Sequence, residues 1–135
     1  MNNDSIKLDI YLNYPGHCEK AFLFYERHLG GTIDLMTPHQ QPPPNFPKDW
    51  ERPILHAVIN IGGTLVRGAD VPGAQPMRSV YLTLRFDTPE AAEQVYDLLS
   101  SEGEVFMKME KTFFANRFAM LRDKFGTSWM LLNEQ

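Results

Sequence analysis

The chain has a single cysteine, no run of basic residues and no long apolar segment, and each shortage excludes a class of protein. One cysteine, Cys18, cannot form an intrachain disulfide. Its 13 Lys and Arg residues are scattered, and the formal net charge is −4, which argues against nucleic acid as a partner. No apolar run approaches the roughly 20 residues that span a bilayer, and residues 1–10 lack the features of a signal peptide. We therefore expect a cytoplasmic protein that binds neither membrane nor nucleic acid.

Several catalytic motifs are also absent. The sequence contains no Gly-x-Ser-x-Gly, no His-Glu-x-x-His, no Cys-x-x-Cys and no glycine-rich phosphate loop, so the reaction classes that depend on them are not expected. What is present is ordinary for a folded domain, with 43% hydrophobic and 22% charged residues.

The first half of the chain predicts one strand, one helix and three further strands. Residues 6–13 alternate apolar and polar side chains, which is typical of a half-buried strand. Residues 17–31 carry apolar side chains at spacings of three and four and end in two glycines, which predicts an amphipathic helix. The remaining strands are predicted at 32–36 and within 54–70, the latter divided by a Gly-Gly hairpin signal.

The second half repeats this order. Residues 79–87 alternate, and Thr88-Pro89 supplies an N-cap hydroxyl followed by a proline at the first helical position. The helix that follows can be overlaid on the first at a spacing of 71 residues. Three more strands are predicted at 104–110, 113–121 and 128–134.

These patterns predict an α+β fold of two βαβββ modules, 6–70 and 79–133, joined by a linker at 71–78 within a single domain, 1–135. Each module covers one sheet face with its helix and leaves the other face open, so the modules must associate to be stable. We expect a curved mixed sheet around a cleft. The predicted core comprises Leu8, Ile10, Phe24, Leu29, Ile59, Leu82, Leu84, Val95, Leu99 and Leu131.

The segment 37–53 interrupts the first module with six prolines. Proline fixes its own φ and has no amide donor, so this segment is predicted to be a loop. Loops of this length are usually functional lids or are disordered. The aromatic side chains of Phe46 and Trp50 favour a loop that packs on the rest of the protein, and we expect them to cap the cleft.

Three segments, 11–31, 54–70 and 116–133, resemble the PhnB-like branch of the glyoxalase/bleomycin-resistance family, within the vicinal oxygen chelate superfamily. The resemblance implies paired βαβββ modules whose sheets wrap a cleft, usually in a homodimer. Many members hold a divalent metal there and act as lyases, isomerases, extradiol dioxygenases or fosfomycin-modifying enzymes. Others bind small toxic molecules without chemistry.

The resemblance also implies where metal ligands would lie: at Asp9, Arg67, Tyr81 and Met130. Asp9 is a suitable ligand and tyrosine is a rare one. Arginine is a permanent cation that repels a metal, and the methionine thioether is too soft for Mg, Mn or Zn. We therefore expect no metal and no other cofactor. A divalent metal held by an unusual set that includes Asp9 and His56 is the alternative.

Strand alternation places one set of polar residues on the cleft faces. His56 is either a hydrogen-bonded histidine in a polar pocket or a catalytic general base. Arg67 and Tyr81 are expected to face the same cleft. Arg67 forms a buried ion pair, for example with Asp9, or lies on the surface if the strand register is shifted; alternatively the two residues clamp an anion or a carbonyl group. The predicted pocket is lined by Lys7, Asp9, Tyr11, His56, Asn60, Arg67, Tyr81 and Arg85, walled by Phe118, Met120 and Met130, and capped by Trp50.

Three functions remain open at this point. The first is a metal-free protein that binds a small polar or anionic organic molecule, as a homodimer. The second is an enzyme, either metal-dependent through Asp9 and His56 or metal-free through His56. The third is a scaffold dimer with a vestigial cleft.

Overall fold

The computed structural model describes residues 5–135 and divides into two compact units, Met1–Ala74 and Gln75–Gln135. Each unit is one βαβββ module. Unit 1 contains β1 (Ile10–Tyr14), α1 (Cys18–His28), β2 (Thr32–Pro38), β3 (Ile54–Ile61) and β4 (Thr64–Asp70).

The sheet of unit 1 has the strand order β1-β4-β3-β2. β1 runs parallel to β4 and the other neighbours are antiparallel, so the sheet is mixed. Gly62 and Gly63 have φ values of 58° and 90°, which suits a two-residue hairpin between β3 and β4. The predicted hairpin is therefore confirmed.

Helix α1 covers one face of this sheet with its buried residues, among them Phe22. A Cβ placed on Gly68 would lie 2.7 Å from Cζ of Phe22, so Gly68 faces the helix. Because side chains alternate along a strand, Arg67 must point to the opposite, helix-free face.

Unit 2 has the same order of elements and the equivalent topology, β5-β8-β7-β6, with β5 parallel to β8. The predicted α+β fold of two βαβββ modules is confirmed. Helix α2 begins at Pro89, and the Oγ1 atom of Thr88 accepts a hydrogen bond from the Ala91 amide, as its capping role requires. The elements are β5 (Leu82–Arg85), α2 (Pro89–Ser100), β6 (Glu104–Glu110), β7 (Ala115–Arg122) and β8 (Ser128–Glu134).

The structure corrects the predicted starts of β1 and β5 and part of the predicted core. β1 begins at Ile10, and Leu8 is 95% exposed rather than in the core. Ile10 pairs with Val66, the third residue of β4, so only two residues of β4 remain that could pair with residues before Ile10. β5 likewise begins at Leu82, after Tyr81. In the predicted core, Ile59, Leu99 and Leu131 are fully buried, whereas six residues are half-buried: Ile10, Phe24, Leu29, Leu82, Leu84 and Val95.

The proline-rich segment is shorter than predicted, because Thr37 and Pro38 belong to β2. Pro38 pairs with Ile54 after a register shift. β2 lies at the edge of its sheet, where a residue without an amide donor costs least. Of the described residues, none lies in a helix with the length and hydrophobicity that a membrane span requires.

Candidate functional site

The helix-free face of unit 1 carries Asp9, Tyr11, His56 and Arg67, which we call the polar face. Tyr11 on β1 pairs with Arg67 on β4, and Arg67 in turn pairs with Val58 on β3. His56 lies two residues before Val58, so it shares this face, and Asp9 lies two residues before Tyr11. Four predicted site residues therefore come together on one face.

Tyr11 and His56 form a direct contact across the sheet. The Tyr11 hydroxyl lies 3.1 Å from Nδ1 of His56, and the ring centroids are 5.8 Å apart. When tyrosine donates this hydrogen bond, the neutral imidazole carries its proton on Nε2. Tyr11 is 50% exposed, so the pair is accessible to a small molecule.

Asp9 and Arg67 form a loose ion pair, with 3.7 Å between Oδ2 and Nε. The Asp9 side chain is 59% exposed and that of Arg67 is 31% exposed. Exposed pairs of this kind contribute only about 0–1 kcal/mol to stability.

The donors at the positions implied by the family do not fit a hard divalent ion. In unit 1 the Asp9 carboxylate is engaged by a permanent cation, Arg67. In unit 2 the corresponding donors are a phenol, Tyr81, and a thioether, Met130, which such ions bind poorly. Across residues 5–135, no group of three or more His, Cys, Asp or Glu side chains is arranged to hold a metal ion.

Other residues of the predicted pocket have structural roles. Oδ1 of Asn60 accepts a hydrogen bond from the Gly63 amide at 2.9 Å and so closes the β3–β4 hairpin. Arg85 pairs with Glu134 on the neighbouring strand. Lys7 is exposed and precedes β1.

Tyr81 lies outside the strand that was predicted to carry it. Its hydroxyl accepts a hydrogen bond from Arg78 at 2.9 Å, and its ring meets Phe106 edge to face. The Arg78 guanidinium lies 3.8 Å from the centroid of the Phe106 ring. In unit 2 Tyr81 thus belongs to an aromatic and cationic cluster, since two neighbours already occupy its hydroxyl and its ring.

Phe118, Met120 and Met130 do share one face of unit 2, as predicted. Met120 pairs directly with Met130, and Phe118 lies two residues before Met120. Trp129 alternates with Met130, is buried, and donates from Nε1 to Asp123 at 2.9 Å. The predicted shared pocket joins residues of both units, and that arrangement stays a prediction.

Trp50 packs on the turn that precedes α1. A Cβ on Gly16, where φ is +101°, would lie 2.6 Å from Nε1 of Trp50, so the indole rests directly on the glycine backbone. Phe46 meets Trp50 at a ring distance of 5.3 Å. Shallow cavities of about 180 and 190 Å³ flank the indole. Trp50 therefore packs on this turn and on Phe46, and neither of the two cavities is lined by Tyr11 or His56.

Cys18 is fully buried, and burial raises its pKa, with further contributions from the charges of Asp70 and Glu19. An inert thiol is the result. Asp70, which is also buried, is a structural residue that the sequence patterns did not indicate. It is the last residue of β4, and no residue at a regular spacing in the sequence marks it as a partner of α1 or β3, so its role could not be recognised from the pattern.

Comparison with known proteins identifies a family model and a relative that match most of this chain. The family model described as "Glyoxalase/Bleomycin resistance protein/Dioxygenase superfamily" matches residues 7–131. Protein YjdN of Escherichia coli strain K12 is 29% identical, over 92% of this chain and 92% of its own.

Two solved structures are similar over nearly the whole chain. Protein PA1353 from Pseudomonas aeruginosa is 34% identical, with a TM-score of 0.81 over 96% of this chain and 98% of its own. The PhnB protein from Bacillus cereus is 23% identical and shares the fold, with a TM-score of 0.83 over 95% and 99% of the two chains. The chain therefore belongs to the glyoxalase/bleomycin resistance protein/dioxygenase superfamily, as the resemblance predicted.

Proposed function

We propose that this protein binds a small polar or anionic organic molecule on the polar face of unit 1, without a divalent metal or other cofactor. The observation that carries the proposal is the position of Arg67. β4 is an inner strand, so Arg67 is held between Tyr11 on β1 and Val58 on β3. Its partly exposed guanidinium lies on an open sheet face beside two further hydrogen-bonding side chains.

An anionic group suits this arrangement best. A guanidinium offers a planar fork of donors that matches a carboxylate or phosphonate. Asp9 is a weak competitor, because its contact is long and its side chain is largely exposed. Tyr11 and His56 add neutral groups that can either donate or accept, which favours an organic ligand with further oxygen atoms.

The same residues disfavour a metal-dependent mechanism. Arg67 raises the electrostatic cost of bringing a divalent cation to Asp9, and it cannot lose its charge at physiological pH. Binding on this face should therefore be unaffected by a chelator such as EDTA. Ligand affinity that disappears in EDTA and returns with Mn or Zn would contradict the metal-free proposal.

The variant Arg67→Ala tests the proposal. A thermal-shift screen of the wild-type protein with small carboxylates and phosphonates first selects a ligand, which is then titrated by calorimetry. We expect Arg67→Ala to lose about 1.5–3 kcal/mol of binding free energy, the value of a hydrogen bond to a charged group. This loss is about 10- to 150-fold in Kd.

Arg27→Ala is the matched control, because it removes the same charge from an exposed position on α1. Its affinity should equal that of the wild type. If Arg67→Ala folds normally and binds the ligand as tightly as Arg27→Ala does, Arg67 does not bind the ligand.

A second candidate function is metal-free general-base catalysis by His56, and the Tyr11–His56 hydrogen bond favours it. The tyrosine would fix the tautomer of the imidazole and thereby position its second nitrogen as a proton acceptor. If so, His56→Gln should abolish conversion of a bound compound while its Kd changes little. The ligands from the screen are incubated with the wild-type protein and followed by NMR. If all of them stay chemically unchanged, this function is rejected.

A further inference from the structure

Three methionines form a row across the sheet of unit 2, which we call the methionine row: Met107 on β6, Met120 on β7 and Met130 on β8. Met107 pairs with Met120, and Met120 pairs with Met130. Residues directly opposite on neighbouring antiparallel strands have Cβ atoms about 4.5–5.5 Å apart. Met120 and Met130 therefore lie side by side, and Met107, which pairs with Met120 between two register shifts of β6, lies at the end of the row.

The row lies on the helix-free face. Leu121 and Trp129, which alternate with Met120 and Met130, are fully buried on the opposite face. The row itself is accessible to solvent: Met107 is 47% exposed, and Met120 and Met130 are half-buried. A small ion could reach the sulfur atoms without unfolding the sheet.

Two of the arginines beside the row, Arg122 and Arg85, are paired with carboxylates. Arg122 lies two residues from Met120 on the same face and is paired with Glu104 at 2.9 Å. Arg85, at the other end of the face, lies 3.6 Å from Glu134. These two guanidinium groups are each accompanied by a carboxylate, whereas Arg78, which lies over Phe106 next to Met107 and donates to the Tyr81 hydroxyl, adds a positive charge at the β6 end of the row.

We propose that the methionine row is a binding site for a soft monovalent metal ion, Cu(I) or Ag(I). Thioether sulfur is a soft ligand that prefers such ions over Mg, Mn or Zn. Methionine has three rotatable bonds, so three side chains from adjacent strands can converge on one ion. A thioether carries no titratable proton, so affinity should remain constant at mildly acid pH, where histidine and carboxylate ligands become protonated.

Binding is tested first with the intact chain carrying ¹³C-labelled methionine methyl groups. Silver nitrate is titrated into the protein in chloride-free buffer, and the methyl signals are followed by NMR. We expect the signals of Met107, Met120 and Met130 to shift together and to saturate at one Ag(I) per chain. The signal of Met36, on β2 of unit 1, should stay in place.

Substitution supplies the second test, by competition of the protein with a chromogenic Cu(I) chelator under anaerobic conditions. Leucine has nearly the volume of methionine, so Met107→Leu, Met120→Leu and Met130→Leu should fold normally. Each should weaken Cu(I) binding by at least about tenfold, since losing even an outer-shell partner costs about 10- to 100-fold. Met36→Leu is the control and should bind like the wild type.

Two outcomes would overturn the site. One is a wild-type protein whose three row signals do not saturate with Ag(I), or move no more than that of Met36. The other is a triple leucine variant that retains wild-type Cu(I) affinity, which would place the bound ion elsewhere.

Discussion

Asp70 is a buried carboxylate that joins three segments of unit 1. Its Oδ1 atom accepts hydrogen bonds from the amides of Gly16 at 3.0 Å and Cys18 at 2.9 Å, and its Oδ2 atom accepts one from Ile54 at 2.8 Å. The last residue of β4 therefore caps the start of α1 and fixes the start of β3. A carboxylate near a helix N-terminus is also favoured by the helix dipole.

We expect Asp70→Ala to lower the free energy of unfolding by about 3 kcal/mol or more, because three amides, two of them buried, lose their acceptor and each unsatisfied buried donor costs about 1–3 kcal/mol. Urea denaturation measures the change. Asp34→Ala, at an exposed position on β2, is the control and should stay within about 0.5 kcal/mol.

A milder variant keeps this prediction testable if Asp70→Ala does not fold. Asp70→Asn retains one acceptor oxygen and should lie between the wild type and the alanine variant. An Asp70→Asn protein as stable as the wild type would show that the carboxylate is not required.

Asp123 plays a comparable part in unit 2. Its Oδ1 atom accepts from the amides of Phe125 and Thr127, and its Oδ2 atom accepts from Nε1 of Trp129. The turn before β8 is thus built around one buried carboxylate. The indole of Trp129 is buried with its only donor satisfied, as burial of a tryptophan requires.

At the scale of elements, β8 is an inner strand of unit 2. It pairs with β5 on one side and with β7 on the other, and Trp129 and Leu131 are buried on its helix face. Its bounds, Ser128–Glu134, coincide with the predicted ones. An uninterrupted apolar strand is required here because both of its edges are paired.

Removing 128–135 should therefore prevent unit 2 from folding. We expect the amide signals of residues 75–127 to collapse into the narrow range of a disordered chain in a ¹⁵N NMR spectrum. Removing only Glu134 and Gln135, which are exposed, is the control and should leave the spectrum dispersed. Dispersed signals for the longer truncation would contradict the prediction.

At the scale of the whole molecule, the two units repeat one plan. α1 and α2 begin 71 residues apart, and Ala21 and Ala92, which the overlay pairs, are both fully buried. The polar face belongs to the first copy and the methionine row to the second, so the same architecture carries different chemistry in each unit.

We propose that the protein is a homodimer. Several apolar side chains are strongly exposed, among them Leu8 and Phe113, which is 93% exposed. The sheets also end in β1 and β2, and in β5 and β6, as edge strands. Exposed apolar residues and sheet edges are commonly covered by a partner.

Sedimentation equilibrium at micromolar concentration should then give twice the mass of one chain. We expect Phe113→Asp, at an exposed apolar position, to weaken the dimer. Leu23→Asp, on the exposed side of α1, is the control and should sediment like the wild type. A wild-type protein that sediments as a single chain would contradict the dimer.

The order of elements, the fold class and the family could all be predicted from the amino-acid sequence. Periodicity, the Gly62-Gly63 turn and the Thr88 cap are local signals. Each depends only on residues that are close together in the sequence, so it can be recognised without knowledge of the folded chain. The strands 104–110 and 128–134 were predicted at their observed bounds for this reason.

Which side chains meet could not be predicted from local patterns, because it depends on how the strands pair in the folded chain. Alternation placed Tyr11 and His56 on open faces, but their hydrogen bond spans 45 residues and depends on the pairing of three strands. Met107 was not recognised, because β-bulges in β6 break the period of two on which the face assignment rests. Contacts of this kind depend on strand register and on distant chain segments, neither of which is encoded in any local pattern.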